Sequence, residues 1–245
     1  MNDPGQAKPS PAGLLVIDKQ PGFTSMDVCA IIRTRLRRGG APKRIKVGHA
    51  GTLDPLATGV LVVLIGKATR LVSQVMAADK EYEASIDLSR RSTSDDLGGE
   101  VSDVQVAARP DHDSLLNAIA SLTGRIMQTP PQFSAMRVGG RRAYAIAREG
   151  EQVQLQPRPV VVHSINLLEF EWPLVRVRVH CGKGVYIRSL ARDLGSVLQT
   201  GGMLAALRRT RVGLFDLAMS TTLDQLPHVM GQEHLRPLDL ALPAE

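Results

Sequence analysis

Two strand-like stretches that follow one another directly, Val160 to Phe170 and Leu174 to Cys181, constrain the fold of this chain more than any other feature. In the second, Val175, Val177 and Val179 alternate with Arg176, Arg178 and His180, the period of a strand with one apolar and one polar face. Strands that succeed one another this closely pair antiparallel, because a parallel pair needs a long crossover. Further strands are expected at Leu14 to Ile17, in the continuous apolar run Val60 to Ile65, and where Tyr82, Ala84, Ile86 and Leu88 share one face before the Ser/Asp/Gly-rich turn at 92–99. Ser25 to Leu36 predicts a helix, with Thr24-x-x-Asp27 as its capping box and Val28, Ile31, Ile32 and Leu36 as its apolar face. Ala68 to Met76, Ser114 to Leu122 and Tyr186 to Leu198 also read as helices. After Thr129-Pro-Pro come a short strand, a Gly139-Gly140 turn and a basic helix near Arg141 to Arg148. The pattern predicts an α+β fold with a mixed, largely antiparallel sheet and flanking helices, not a doubly wound parallel one.

A chain of 245 residues with 43% hydrophobic content buries a sizeable core. Its net charge of +6 and pI near 9.7 favour an anionic partner. Nucleic acid fits better than a membrane, because the longest apolar run, Val60 to Ile65, is only a strand. Residues 1–12, rich in Pro, Gly and small polar residues, lack the apolar stretch of a signal peptide and read as a disordered leader on a cytoplasmic protein. Cys29 and Cys181 stand alone, without C-x-x-C or a His/Cys cluster, so neither a zinc spacing nor a disulfide framework is expected. Both read as small buried hydrophobes.

The chemistry concentrates in Lys46 to Leu61, where glycines at 48, 51 and 59 and Pro55 turn the backbone sharply around Asp54. Between Asp27 and Asp54 stand Arg33, Arg35, Arg37, Arg38, Lys43, Arg44 and Lys46 and no acid, so the carboxylate ends a positively charged segment. That suits an enzyme that grips a polyanion and acts on it with an aspartate. Any single Asp-Pro is ordinarily a turn-initiating residue, and Asp54 alone carries little weight. Arg188 follows Gly182-Lys183-Gly184 and is either a solvated or phosphate-binding arginine or the partner of Asp54. A pairing would hold the carboxylate ionised, as a nucleophile requires. Tyr82 is either a core ring or a platform for a flipped base, and His49 shares the loop of Asp54.

Six stretches together resemble the TruB family of tRNA pseudouridine synthases. They are Asp18-Lys19-Gln-Pro-Gly22-Phe-Thr24-Ser25, Val47-Gly-His-Ala-Gly-Thr-Leu-Asp54-Pro, Lys80-Glu-Tyr82-Glu-Ala84, Pro130-Pro-Gln-Phe-Ser134-Ala, Cys181-Gly-Lys-Gly-Val-Tyr186-Ile-Arg188-Ser-Leu-Ala-Arg-Asp193-Leu-Gly195 and Leu207-Arg-Arg-Thr210. The resemblance runs from about residue 13 to 215 and implies a catalytic domain of pseudouridine-synthase type over that span. It implies isomerisation of uridine at position 55 in the T loop of tRNA, by breaking the N-glycosidic bond and remaking it through C5, with no cofactor or metal. Asp54 is then the nucleophile or charge stabiliser at the ribose, Arg188 its ion-pair partner, and Tyr82 the ring that stacks on the target base. His49 supports base flipping, Tyr186 and Leu207 line the uracil pocket, and Lys19 and Lys80 join the substrate-binding set. A monomer without an obligate protein partner is expected.

Departures from the family pattern are Gln20 where a proline is usual, and Ser92-Thr93-Ser94 where Thr-Asp-Thr often precedes an aspartate such as Asp96. Neither is expected to touch the chemistry. Residues 216–245 form a short C-terminal extension in place of a full PUA-type domain, so RNA binding is expected to rely on the basic face of the catalytic domain. An RNA chaperone without chemistry, and a hydrolase using Asp54 on a small nucleoside or glycoside, are the competing readings. The basic surface and the lack of a second catalytic carboxylate weigh against the hydrolase.

Overall fold

The structure, a computed structural model, describes residues 10–133, 137–138, 141–142 and 155–237. The chain divides into two compact units, one made of residues 1–78 and 210–245, the other of residues 79–209.

In the first unit β1 (Gly13–Lys19) pairs antiparallel with β3 (Thr58–Ile65) along its whole length, and β2 (Val47–His49) pairs with the far end of β3. Val60 to Ile65 are all fully buried, which is why this strand reads as an unbroken apolar run rather than an alternation. Between β1 and β2 lies α1 (Ser25–Arg38), two residues longer at its C-terminus than the apolar pattern predicts. Its capping box is formed as expected, Thr24 and Asp27 each accepting from the other's backbone N–H, and Val28, Ile32 and Leu36 are buried. The expected helix at 68–76 is a 3-10 turn (Gly66–Leu71) running into α2 (Val72–Ala77).

Residues after 216 cover the free edge of β1. Thr221 exchanges backbone hydrogen bonds with Val16 and Asp18, and Arg236 exchanges a pair with Leu14 at 3.0 Å each. Arg35, buried on α1, donates to the carbonyls of Leu223 and Leu226 at 2.5 and 3.0 Å. The extension thus satisfies an edge that would otherwise invite pairing with another chain.

In the second unit the strands lie in the order β12-β4-β11-β10-β7: β4 (Lys80–Asp87), β7 (Gly124–Gln128), β10 (Arg158–Glu171), β11 (Leu174–Cys181) and β12 (Met203–Val212). The last residues of β12, from Thr210, belong to the first unit, where they form a hairpin with β13 (Phe215–Asp216). Strand pairs β4–β11, β11–β10 and β10–β7 are all antiparallel, as the directly successive strands dictated. Short hairpins join β5 (Arg90–Ser92) to β6 (Val101–Asp103) and β8 (Arg137–Val138) to β9 (Arg141–Arg142). The start of the expected basic helix is therefore strand at Arg141–Arg142. Its remainder to Arg148 lies outside the described residues, as does nearly all of the leader. Among the described residues of the unit, the helices are α3 (His112–Ser121), capped by Asp111, and α4 (Ile187–Val197). Its apolar cluster unites Tyr82, Ala84, Ile86 and Leu88 with Val175, Val177 and Val179 and with Leu190 and Leu194 of α4. Both cysteines are buried, and burial raises their thiols to about 11 for Cys29 and about 12 for Cys181, leaving them protonated at neutral pH.

Two stability predictions arise from this packing. A Cβ on Gly195 of α4 would strike the carbonyl oxygen of Gly201 and come within 2.8 Å of Gly202 Cα, so both are backbone that cannot swing aside. Gly195→Ala is expected to cost about 3 kcal/mol, read from the denaturant midpoint. Asp87 is 2% exposed and accepts from the Ser89 backbone and hydroxyl at 2.8 and 2.7 Å and from Arg90 Nε at 2.7 Å. Burial pushes its carboxyl up, but the bonds from Ser89 and Arg90 outweigh burial and hold it below its ordinary 3.8. A carboxyl depressed by folding stabilises the protein above its unfolded pKa, and that contribution is lost as pH falls through the folded value. Asp87→Asn is expected to cost about 2 kcal/mol at neutral pH, with the gap to the parent closing in acid below about pH 4.

Candidate active site

In the first unit, Asp54 sits half-buried on the loop between β2 and β3, and the N-terminal end of α1 clamps that loop from two sides. Ser25 Oγ donates to the Leu53 carbonyl at 3.1 Å and accepts from the Leu53 N–H at 2.9 Å. Lys19 is fully buried, and its Nζ donates to the carbonyls of Gln20, Phe23 and Pro55 at 3.0, 2.8 and 3.1 Å. Three ammonium hydrogens thereby meet three carbonyls on both sides of the gap between the Gln20–Phe23 turn and the Asp54 loop. Gly22, at φ +87°, donates its N–H to the same Pro55 oxygen at 2.9 Å, a backbone state that favours glycine. The Asp18-Lys19-x-x-Gly22-x-x-Ser25 stretch is therefore the mount of Asp54. Its spacing follows from the capping box that starts α1 at Ser25. His49 ends β2, opposite Val63 of β3, five residues before the carboxylate. Asp54 is thus a carboxylate with a fixed backbone and a side chain that is neither fully buried nor free in solvent.

The second unit holds Lys80, Tyr82, Tyr186, Arg188 and Leu207. Tyr82 is 8% exposed and lies in the apolar cluster, against which Leu207 of β12 also packs. Lys80, 7% exposed, lies opposite Cys181 in the β4–β11 register, and burial followed by the nearby Arg209 charge lowers its ammonium pKa.

Tyr186 precedes α4 and is gripped by the buried Gln128, whose side chain accepts from the Tyr186 N–H at 2.8 Å and donates to its carbonyl at 3.1 Å. The Arg158 guanidinium lies 5.3 Å from the Tyr186 ring centre and donates to Gly184. Arg188, 5% exposed, donates to the carbonyls of Ser94 and Phe133 at 3.0 and 2.9 Å, and its Nε lies 3.5 Å from the Asp96 carboxylate.

The turn that carries Ser92-Thr93-Ser94, a departure not expected to touch the chemistry, seats Arg188 through the Ser94 carbonyl and the Asp96 carboxylate. Asp95, at φ +61°, pairs with Arg192 at 2.9 Å, and Arg192 also reaches Asp193 at 3.0 Å and the Thr129 carbonyl at 2.8 Å. Burial raises the carboxyls of Asp95 and Asp193 in spite of Arg192. Sequence reasoning missed this seat, together with Gln128 and the buried Arg209. The adjacent Thr129-Pro-Pro break and the matched Leu207-Arg-Arg-Thr210 stretch were the signals that could have drawn attention to them.

The protein matches the chain in a crystal structure of a Cbf5-Nop10-Gar1 complex with a TM-score of 0.68 at 29% identity, covering 94% of this chain and 61% of that one. A structure of an H/ACA RNP bound to a substrate RNA containing 2'-deoxyuridine gives 0.66 at 26% identity, covering 98% and 68%. The model of the TruB family pseudouridylate synthase N-terminal domain matches residues 38–187, and that of the tRNA pseudouridylate synthase B C-terminal domain matches residues 188–243. The chain belongs to the TruB family of pseudouridylate synthases. Among its relatives, tRNA pseudouridine synthase B of Corynebacterium glutamicum (strain R) is 47% identical over 92% of this chain and 74% of that protein. The protein of the same name from Thermobifida fusca (strain YX) is 47% identical over 87% and 74%.

Proposed function

We propose that this chain isomerises uridine to pseudouridine at position 55 in the T loop of tRNA, acting as a monomer. The observation that carries the reading is the half-exposed Asp54 on a loop whose backbone is fixed by Lys19 and Ser25, inside the span matched by the family model. The target base leaves the T-loop stack at a cost of about a few kcal/mol, offset by stacking and phosphate contacts. Asp54 acts at the ribose, as nucleophile or as charge stabiliser, while the N1–C1′ bond breaks. The uracil turns within a closed pocket, C5 bonds to C1′, the C5 proton passes to a base or to solvent, and N1 takes up a proton, so that substrate and product are isomers.

In this scheme Arg188 is the ion partner of Asp54, and Tyr82 stacks on the base. Tyr186 and Leu207 wall the pocket against escape of the free uracil. His49 assists flipping. Lys80 contributes charge toward the RNA, and Lys19 serves the substrate by holding the aspartate loop.

A basic groove in the first unit, lined by Arg44, Lys46, Lys67 and Arg70, supports binding of a phosphate backbone. tRNA affinity is accordingly expected to weaken at least about a hundredfold between about 50 and 200 mM salt. A nearly flat salt titration would remove the basic face from the account. The chemistry is tested on an unmodified T-stem-loop RNA without protein partners. Conversion of its position-55 uridine supports the proposal, and turnover of free nucleosides in place of RNA would favour the hydrolase.

A further inference from the structure

The polar face of β11 carries a ladder of charge pairs to its two neighbours, Arg176 with Glu169 of β10 at 2.7 Å and Arg178 with Glu83 of β4 at 2.8 Å. At the end of that ladder stands a different group. His180 follows Arg176 and Arg178 on the polar side of β11, and the register between β10 and β11 shifts between Val162 and Ser164, at His163. A bulge of this kind re-aims a side chain. Here it brings the His163 ring to 4.6 Å from the His180 ring, and both Nε2 atoms face Asp79 Oδ2, at 3.3 and 3.7 Å.

From this geometry we infer that His163, His180 and Asp79 form a binding site for a divalent first-row transition metal ion, of which Zn²⁺ is the probe. Two imidazole nitrogens and one carboxylate oxygen are a donor set that suits zinc, with further coordination positions left to water. Bonds of about 2.0–2.1 Å in a tetrahedron place ligand atoms roughly 3.3 Å apart. One ligand atom from each residue lies within 4.8 Å of the others, and the three side chains are 33% to 46% exposed, so each can rotate inward by the small amount required. Neighbouring Cys181 is not a ligand, because it alternates with His180 on β11 and is buried, 1% exposed, in the apolar cluster. The ligands come from β10, β11 and the residue before β4, so a bound ion would tie three strands at one corner of the sheet. That placement also explains why no ligand spacing is visible along the chain.

The test is calorimetric titration of the full, metal-stripped chain with ZnCl₂, paired with thermal melts. One saturable equivalent of Zn²⁺ at micromolar concentration, together with a melt shifted upward by zinc, is expected for the parent. His163→Ala should lose both signals. Its partly exposed side chain makes a folding defect separable, since its metal-free melt should match that of the parent. Asp79→Asn should weaken binding at least tenfold. Absence of saturable binding in the parent, or binding undiminished in His163→Ala, would overturn the site.

Discussion

Asp54→Asn is expected to bind a T-stem-loop RNA with unchanged affinity and to form pseudouridine at least about ten-thousandfold more slowly than the parent. Asparagine keeps the size of the side chain and its turn-forming capacity while removing the negative charge. The loop itself is held through the backbone, by Ser25 at Leu53 and by Lys19 and Gly22 at Pro55, and none of these bonds uses the Asp54 carboxylate. Melting temperature measured beside the rate separates lost chemistry from lost structure. If single-turnover conversion by Asp54→Asn stayed within tenfold of the parent, the carboxylate would have no part in bond cleavage.

Arg188→Lys, formally conservative, is expected to lower kcat by about a hundredfold or more. A guanidinium offers a rigid fork of donors, and here the fork spans the Ser94 carbonyl and the Asp96 carboxylate of one turn and the Phe133 carbonyl of another loop. A lysine ammonium is a point charge on a flexible stem and cannot hold all three in the same plane. Buried acceptors left without a donor add a stability loss of about 1–3 kcal/mol. Asp96→Asn removes the charge at the longest of the three contacts, while the amide oxygen can keep accepting from the Ser94 hydroxyl and the Gly98 N–H, and it should cost less on both counts. Comparing kcat with RNA affinity decides the matter: a loss confined to affinity would make Arg188 a phosphate contact.

Much of this architecture was legible along the chain, for identifiable reasons. β11 and β4 show strict alternation, and β3 is an unbroken apolar run because both its faces are buried. The capping box fixed the start of α1. By contrast β12 was invisible, because Met203-Leu-Ala-Ala-Leu-Arg-Arg is rich in helix formers and has no alternation. Its place beside β4 in the sheet overrides that propensity. The site shows the same division. Asp54 and its mount are close in sequence and could be read as motifs. The seat of Arg188 is assembled from residues 94, 96 and 133, and the His163–His180–Asp79 cluster from strands separated along the chain. Contacts of that kind leave no periodic trace.

A nucleotide-resolved map of pseudouridine in an unmodified full-length tRNA, after incubation with the purified chain alone, tests the central claim most directly. The account predicts quantitative conversion at position 55, no conversion elsewhere, and no product when that uridine is replaced by cytidine. Pseudouridine at other positions with position 55 untouched, or tight tRNA binding without any pseudouridine, would contradict it.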